Sequence, residues 1–385
     1  MGLMQKLLLA PIGKAHVATV LIVLSYSGPG VAQNAASPVS LVPVATGLVH
    51  PWALAFLPDG QFLVTERPGR MRVVSASGQV SPALAGVPTV AAGGQGGLLD
   101  VMTDTDFARS RRIYFCFSEP AAAGGGAGNS TALARATLAP DARSLQDVKV
   151  IFSQRPKVES GLHFGCRIVQ SGDGHLFLAL GERYVRKDDA QKLDNHHGKI
   201  VRITPDGAVP ADNPFAKQPG ALPEIWSYGH RNPQGATLGP DGKLWMHEHG
   251  PQGGDEINLP QPGRNYGWPV ITYGENYGGG KMGEGTAKAG MEQPLHYWVP
   301  SIAPSGMAFL TSTRYGAAWQ GSLFVGSLKL GTLHRLELAG GKVQREEKWL
   351  QGNGERIRDV RQGPDGLLYM LTDSPQGRLL RLQPN

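Results

Sequence analysis

Beyond its N-terminal segment, the chain has almost no helical periodicity and instead repeats a short pattern of polar and apolar positions. Each repeat has a polar turn, usually with Asp-Gly, a short apolar strand, a second turn and a further strand with apolar residues. Two such strands form an antiparallel pair that is too small to bury a face by itself. The pattern joins residues 57–64 with 69–74, 112–117 with 132–136, 171–178 with 198–203, 239–245 with 255–258, 320–325 with 331–336, and 363–369 with 377–382.

Six repeats, about 45–80 residues apart, predict an all-β fold: a six-bladed β-propeller of four-stranded antiparallel blades. A β-sandwich is the second interpretation, but it requires fewer strands and no repeat. The variable spacing predicts insertions in loops, especially in the glycine-rich stretches 121–130 and 275–292. Loops at one end of a propeller converge over its central channel, so we expect a ligand there.

The N-terminus has the pattern of a targeting segment. Lys6 and Lys14 precede the apolar run 16–24, and small residues at 30–32 resemble a cleavage site. We therefore predict a signal peptide at 1–32, a single propeller domain at 33–385 and export to a periplasm. The apolar run is too short for a membrane span, so none is expected in the mature protein.

Composition supports many short strands and argues against nucleic-acid binding. The 385 residues include 53 glycines and 29 prolines, with no collagen-like period. Removing the two lysines of the signal peptide from the net charge of +6 leaves +4. Lys and Arg are scattered rather than clustered, so nucleic-acid binding is not expected.

The chain has two cysteines, Cys116 and Cys166. They could pair in an oxidising compartment. The position of Cys116 within an apolar strand favours instead two separate, buried thiols. Two cysteines cannot supply a tetrahedral zinc site by themselves.

The densest group of candidate site residues lies between 226 and 269. Arg231 and Asn232 precede a turn, and a Gly-Pro turn at 250–251 is followed by Asp255 and Glu256. Hard cations such as Ca²⁺ prefer carbonyl and carboxylate oxygens, and an Arg-Asn pair suits an anionic ligand with carbonyl groups. The alternative is a surface loop of ordinary turn residues.

Other candidates are distributed along the chain. His163 is predicted on a loop before a strand, where it is either structural or a general base. Gln95 lies in a glycine-rich loop that lacks the spacing of a dinucleotide site, and the chain contains neither a Walker loop nor a Gly-x-Ser-x-Gly elbow.

Three further cations occur near the C-terminus. Lys329 is at a strand-turn junction, and Arg356 and Arg358 alternate onto one side of a strand. These arginines either form a solvated edge paired with Glu355 and Asp359, or converge with Lys329 and Arg231 on a polyanion.

An ordered set of motifs resembles the quinoprotein soluble glucose and aldose sugar dehydrogenases, which are six-bladed propellers that use pyrroloquinoline quinone (PQQ) and Ca²⁺. The aldose sugar dehydrogenase branch is the more similar one. The matching segments are residues 50–52, 94–100, 162–167, 229–233, 248–251, 255–256, 265–269, 300–306, 326–329 and 356–359.

The resemblance implies a role for each matching residue. His163 corresponds to the general base, and Arg231 to the group that stabilises charge on the quinone oxygen. The carbonyls of Gly250 and Pro251 correspond to ligands of the calcium at the quinone, and Glu256 and Tyr266 to a structural calcium site. The cofactor contacts correspond to Gln95, Arg231, Asn232, Lys329, Arg356, Arg358 and, after a one-residue shift in the alignment, Trp298.

The implied reaction is the oxidation of the C1 hydroxyl of an aldose sugar to a lactone, with an external electron acceptor. Leu162 stands where the glucose-specific branch has an acidic neighbour of the base. A calcium-dependent propeller lactonase and a non-catalytic binding propeller are the alternatives. The protein is expected to be a monomer or a homodimer.

Overall fold

Strands supply nearly all the regular structure of the part of the chain that the computed structural model describes, residues 38–122 and 127–385. The predicted signal peptide lies outside these residues. The first twelve strands are β1 (Val39–Leu48), β2 (Pro51–Phe56), β3 (Phe62–Glu66), β4 (Arg70–Val74), β5 (Leu98–Thr103), β6 (Arg112–Pro120), β7 (Asn129–Leu138), β8 (Leu145–Ser153), β9 (Gly165–Gln170), β10 (Leu176–Leu180), β11 (Lys199–Ile203) and β12 (Ile225–Tyr228). The others are β13 (Pro233–Leu238), β14 (Leu244–Glu248), β15 (Asp255–Asn258), β16 (His296–Trp298), β17 (Pro304–Phe309), β18 (Leu323–Ser327), β19 (Leu333–Ala339), β20 (Lys342–Trp349), β21 (Ile357–Gln362), β22 (Leu368–Thr372) and β23 (Gly377–Pro384).

These strands form six antiparallel sheets, the blades of the predicted propeller. The innermost strands β2, β5, β9, β13, β17 and β21 contact one another in sequence, and β2 also contacts β21, which closes the ring. The six predicted strand pairs are the second and third strands of the blades. Second strands such as β10 are buried along their whole length because both faces of a blade pack on neighbouring blades.

The first blade differs from the prediction because it has three strands, β2, β3 and β4, rather than four. The chain after β4 still runs beside it, and the amides of Ser81 and Leu84 donate to the carbonyls of Val73 and Met71. Pro82 lies between them, and a proline cannot donate to a strand ladder. The segment is therefore bonded to the blade without forming a regular fourth strand.

The last blade contains both ends of the described chain. β1 pairs with β23, from Val39 opposite Pro384 to Leu48 opposite Gly377, and supplies the outer strand of that sheet. The N-terminal strand thus closes the ring through backbone hydrogen bonds.

The prediction of two separate thiols is wrong, because Cys116 and Cys166 form a disulfide with a Cα–Cα distance of 5.9 Å. Both residues are fully buried, as expected, but strands β6 and β9 of adjacent blades bring them together. The local apolar pattern indicated the burial of Cys116 and could not indicate this pairing.

Helical structure in the described residues is limited to one α-helical turn, α1 (Phe107–Ser110), and two 3₁₀ turns, Pro58–Gly60 and Lys187–Gln191. Within the same residues, none of the helices has the length and apolarity needed to cross a membrane. The glycine-rich stretch 275–292 lies in the long connection between β15 and β16, as predicted for an insertion.

Candidate active site

A cavity of about 560 Å³ lies among the innermost strands and the loops that adjoin them, and we call it the central cavity. Five predicted cofactor contacts line it: Gln95, Asn232, Lys329, Arg356 and Arg358. Its other lining residues are Trp52, Arg67, Gly94, Leu99, Phe164, Gly165, Gln234, His249, Ala303, Leu328 and Asp373. Side chains separated by more than 250 residues in sequence thus face one space, as expected for the axis of a propeller.

Two cations of the central cavity, Arg356 and Arg358, contact the one carboxylate among the described residues that line it, Asp373. Oδ2 of Asp373 lies 3.1 Å from Nη2 of Arg358 and 3.4 Å from Nη2 of Arg356. Burial would raise the pKa of Asp373, but Arg358 and His50 outweigh it and hold this pKa well below its usual range. The alternative in which Arg356 and Arg358 pair with Glu355 and Asp359 on a solvated edge is wrong. Glu355 pairs with Arg378 instead, and Asp359 pairs with Arg167 and Arg361.

His163 does not itself line the central cavity, although the next residues Phe164 and Gly165 do, and its side chain pairs with Glu182. Its Nδ1 is 2.7 Å from Oε2 of Glu182, and both side chains are almost fully buried. Burial lowers the pKa of His163, and the hydrogen bond and charge of Glu182 oppose that shift only in part. The imidazole is therefore neutral at pH 7, which is the form a general base requires.

The backbone of His163 and Gly165 is held by two other predicted site residues, Gln95 and Asn232. The amide of His163 donates to Oε1 of Gln95 at 2.9 Å, and the amide of Gly165 donates to Oδ1 of Asn232 at 3.2 Å. Both carboxamides thus use their oxygens within the protein, so their amide nitrogens are the groups that could donate to a ligand.

Arg231 lies between the central cavity and a second space of about 440 Å³, the side cavity. Its neighbours Asn232 and His249 line the central cavity. Arg231 itself lines the side cavity, together with Glu182, Tyr184, Pro251 and Tyr277. Nη1 donates to the carbonyl of His249 at 3.1 Å, and Nη2 is 3.4 Å from the hydroxyl of Tyr277. Nε is buried without a partner, which suits a ligand oxygen.

Two buried carboxylates line a third, small space, which we call the carboxylate pocket. Its volume of about 10 Å³ suits one water or ion, and Glu248, Gly250, Glu256 and Tyr266 line it. Burial, and then the charge of Glu248, raise the pKa of Glu256 to about 8. A cation would relieve this repulsion, although no group of three or more His, Cys, Asp or Glu side chains in the described residues could hold one. Carbonyl ligands would therefore be required.

The side chain of Tyr266 is not available as a ligand in this pocket. Its hydroxyl donates to the carbonyl of Leu259 and accepts from the amide of Gln261 at 2.9 Å. If Tyr266 binds a cation, it does so through its backbone carbonyl.

Trp298 does not line the central cavity, which disagrees with its assignment as a cofactor contact. Its ring packs between His296 and His334, and its Nε1 donates to Oε1 of Glu346 at 3.0 Å. The physical reason is the strand period of two, since Trp298 faces the core of the blade and the adjacent Tyr297 faces solvent. Tyr297 stacks on Tyr273 with ring centroids 3.8 Å apart.

Sequence reasoning missed Glu182 and Asp373, and it indicated Asp255 only as a possible carboxylate ligand. Asp255 accepts hydrogen bonds from the amides of Gly250, Ile302 and Ala303, and so joins the Gly-Pro turn to the cavity wall. The repeat contained a signal for Glu182 and Asp373. In the first and fourth blades the second strand ends in an acidic residue, Glu66 and Glu248, and Glu182 and Asp373 follow the second strands of the third and sixth blades.

Comparison with known proteins agrees with this architecture. The sequence matches the family model for glucose/sorbosone dehydrogenase over residues 48–381. It is 50% identical over 341 residues to the aldose sugar dehydrogenase YliI of Escherichia coli K12, covering 88% of this chain and 91% of that protein. It is 30% identical to quinoprotein glucose dehydrogenase B of Acinetobacter calcoaceticus, over 86% and 84% of the two chains.

Solved structures give the same result. The apo-form of the soluble aldose sugar dehydrogenase from E. coli has a TM-score of 0.87 at 48% identity, covering 90% of this chain and 100% of that one. The PQQ-bound form of an aldose sugar dehydrogenase from Streptomyces coelicolor has a TM-score of 0.73 at 30% identity, covering 90% and 98%. Because the family model and these identities extend over nearly all of the propeller, the chain belongs to the glucose/sorbosone dehydrogenase family and is a homologue of PQQ-dependent aldose sugar dehydrogenases.

Proposed function

We propose that this protein oxidises the C1 hydroxyl of aldose sugars to lactones with PQQ and Ca²⁺. The observation that carries the proposal is that Arg231 and Glu182 line the side cavity, while the residues next to Arg231 and His163 in sequence, Asn232 and Phe164, line the central cavity. One cavity is lined by several cations, and the other opens beside the predicted base. A cofactor in the first cavity and a sugar in the second would meet at these residues.

The central cavity fits an anionic cofactor. Arg67, Lys329, Arg356 and Arg358 face a space that contains a single carboxylate, Asp373. Nε of Arg358 is buried without a partner, and Lys329 has no ion-pair partner in residues 38–122 and 127–385. PQQ carries three carboxylates, and guanidinium groups bind carboxylates with directed, charge-assisted hydrogen bonds.

The residues around Gly250 and Pro251 fit a calcium ion. Their turn is fixed by the bond from the Gly250 amide to Oδ1 of Asp255 at 3.0 Å. Their carbonyls could hold one ion near the cofactor, while Glu256 and the carbonyl of Tyr266 could hold a second, structural ion. When bound, PQQ with Ca²⁺ supplies a polarised carbonyl that accepts hydride.

The protein's own groups then have distinct tasks. Glu182 accepts from Nδ1 of His163, so Nε2 has a free lone pair and can take the proton of the sugar hydroxyl. Arg231 provides N–H groups for the negative charge that develops during transfer. Tyr184 and Tyr277 provide aromatic walls on the sugar side.

The alternative functions have less support. A calcium-dependent propeller lactonase would hold its ion with side-chain carboxylates on the propeller axis. Here the axial carboxylates Asp100 and Asp359 are paired with Arg167 and Arg361. A non-catalytic module would not require a buried His163–Glu182 pair beside a polar cavity.

The proposal includes an exported protein, in a periplasm, that passes electrons to an external acceptor. Reconstitution tests the activity. Purified apo-protein, PQQ, Ca²⁺ and an artificial dye should give sugar-dependent dye reduction, and omission of PQQ should abolish it. Sugar oxidation without added PQQ, or none with it, would contradict the proposal.

A further inference from the structure

The residues around the His163–Glu182 pair have an unusual backbone conformation. Eleven described non-glycine residues have positive φ. Four of them are His163 itself (49°) and three residues close to the pair in sequence, Cys166 (77°), Arg183 (64°) and Tyr184 (63°). Residues other than glycine rarely adopt this left-handed region, and they keep it only where surrounding contacts enforce it. The orientation of the imidazole thus depends on whatever holds residues 163–166.

Several contacts hold the first part of this segment. The carbonyl of Phe164 accepts from Oγ1 of Thr131 at 2.7 Å, and the carbonyl of His163 accepts from the amide of Arg183 at 3.2 Å. The guanidinium of Arg183 lies 3.8 Å from the centroid of the Phe164 ring. Gly181 is required there, since a Cβ at that position would lie 2.1 Å from the carbonyl oxygen of His163.

The far end of the segment is held covalently. Cys166 is its last residue, and its disulfide partner Cys116 lies in β6, a strand of the neighbouring blade whose residues 113–118 are fully buried. Cys166 also has a left-handed φ of 77°. Without the disulfide, the backbone at residue 166 could change to one of the more favourable conformations with negative φ.

We infer that the Cys116–Cys166 disulfide is a positioning element for the general base, because it holds residues 163–166 in the conformation that directs the His163 imidazole toward the sugar. The inference rests on the proposed role of His163. It assigns the disulfide an effect on turnover that is separable from its effect on stability.

The test compares Cys116→Ala/Cys166→Ala with Ile113→Ala, a buried control in the same strand that should also lower the melting temperature. PQQ is titrated into each apo-protein with Ca²⁺, and the half-saturation point and the plateau rate are measured. We expect the double variant to bind PQQ like wild type but to lose roughly ten- to a hundredfold in plateau rate, as small misplacements of catalytic groups do. Ile113→Ala should keep its plateau rate.

A rescue variant tests the mechanism directly. Glycine adopts positive φ without a steric cost, so Cys116→Ala/Cys166→Gly should recover part of the lost rate. A purely stabilising disulfide predicts no such recovery. If the alanine pair does not fold, Cys116→Ser, which is nearly isosteric, takes its place in the comparison.

The outcomes separate the two hypotheses. Wild-type plateau rates in the disulfide variants, alongside an inactive His163→Gln, would overturn this inference and leave the proposed function intact. An active His163→Gln, or a wild-type protein that PQQ does not activate, would overturn the proposed function and this inference with it.

Discussion

Nδ1 of His163 lies 2.7 Å from Oε2 of Glu182, in a contact from which solvent is almost fully excluded. Glu182 follows the second strand of the third blade, and His163 precedes the innermost strand of the same blade. The carboxylate therefore selects the tautomer in which Nε2 is unprotonated.

We expect His163→Gln to bind PQQ like wild type and to lose about 10²–10⁴-fold in turnover, the usual contribution of a general base. Glutamine retains a polar side chain of moderate size, so folding should be preserved. Steady-state rates at saturating PQQ, together with a melting curve, check this. Activity close to that of wild type would exclude His163 as the base.

The pH dependence should follow from the lowered pKa of His163. A lowered pKa keeps the imidazole neutral to more acidic pH, so the acid limb of kcat/KM should lie below pH 6.5, the ordinary value for histidine. Glu182 raises this pKa, so Glu182→Gln should move the acid limb further down and also reduce the maximal rate. An acid limb that moves upward in Glu182→Gln would contradict the assignment.

The cavity cations should affect affinity more than rate. A hydrogen bond to a charged group contributes roughly 1.5–3 kcal/mol, so Arg358→Ala should weaken PQQ binding about ten- to a hundredfold. Arg356→Ala and Lys329→Ala should lose less, because these side chains are more exposed and water screens them. PQQ titration of each apo-variant in Ca²⁺ measures this.

Two substitutions serve as references for that series. Arg231→Ala should lose rate as well as affinity, since it lies at the junction with the side cavity. The exposed Arg345, on β20, is a matched control whose replacement by alanine should change neither quantity. Wild-type affinity in all three cavity variants would show that these cations do not bind the cofactor.

Calcium should stabilise the protein through Glu256. Binding to the folded state raises the melting temperature by mass action, and Glu256→Gln should remove most of this increase while leaving the turnover of the PQQ-loaded enzyme largely unchanged. The exposed Glu284, in the long connection between β15 and β16, provides a control as Glu284→Gln. Melting curves with chelator and with added Ca²⁺ measure the difference.

Tyr266→Phe separates calcium binding from ordinary hydrogen bonding. It removes two internal hydrogen bonds, from the hydroxyl to Leu259 and from Gln261 to the hydroxyl, so the melting temperature should fall. The increase on adding Ca²⁺ should persist, because the backbone carbonyl remains. Loss of the calcium effect in this variant would assign the ligand to the phenol.

The sequence by itself determined the propeller and indicated five of the residues that line the central cavity. The fold could be predicted because strand alternation and Asp-Gly turns are local signals, and because their sixfold repetition restricts the architecture. Gln95, Asn232, Lys329, Arg356 and Arg358 could be selected because each lies in a motif that resembles the quinoprotein sugar dehydrogenases, and the structure brings these five residues to one cavity.

Only the tertiary structure decided which distant groups meet. The Cys116–Cys166 bond joins two neighbouring blades, whereas the His163–Glu182 pair and the contacts of Asp373 with Arg356 and Arg358 join different strands and loops of one blade. Trp298 shows the same limit within one strand, since a shift of one residue exchanges the core face for the solvent face. These side-chain pairings have no local sequence pattern, because each depends on how separate strands and loops pack against one another.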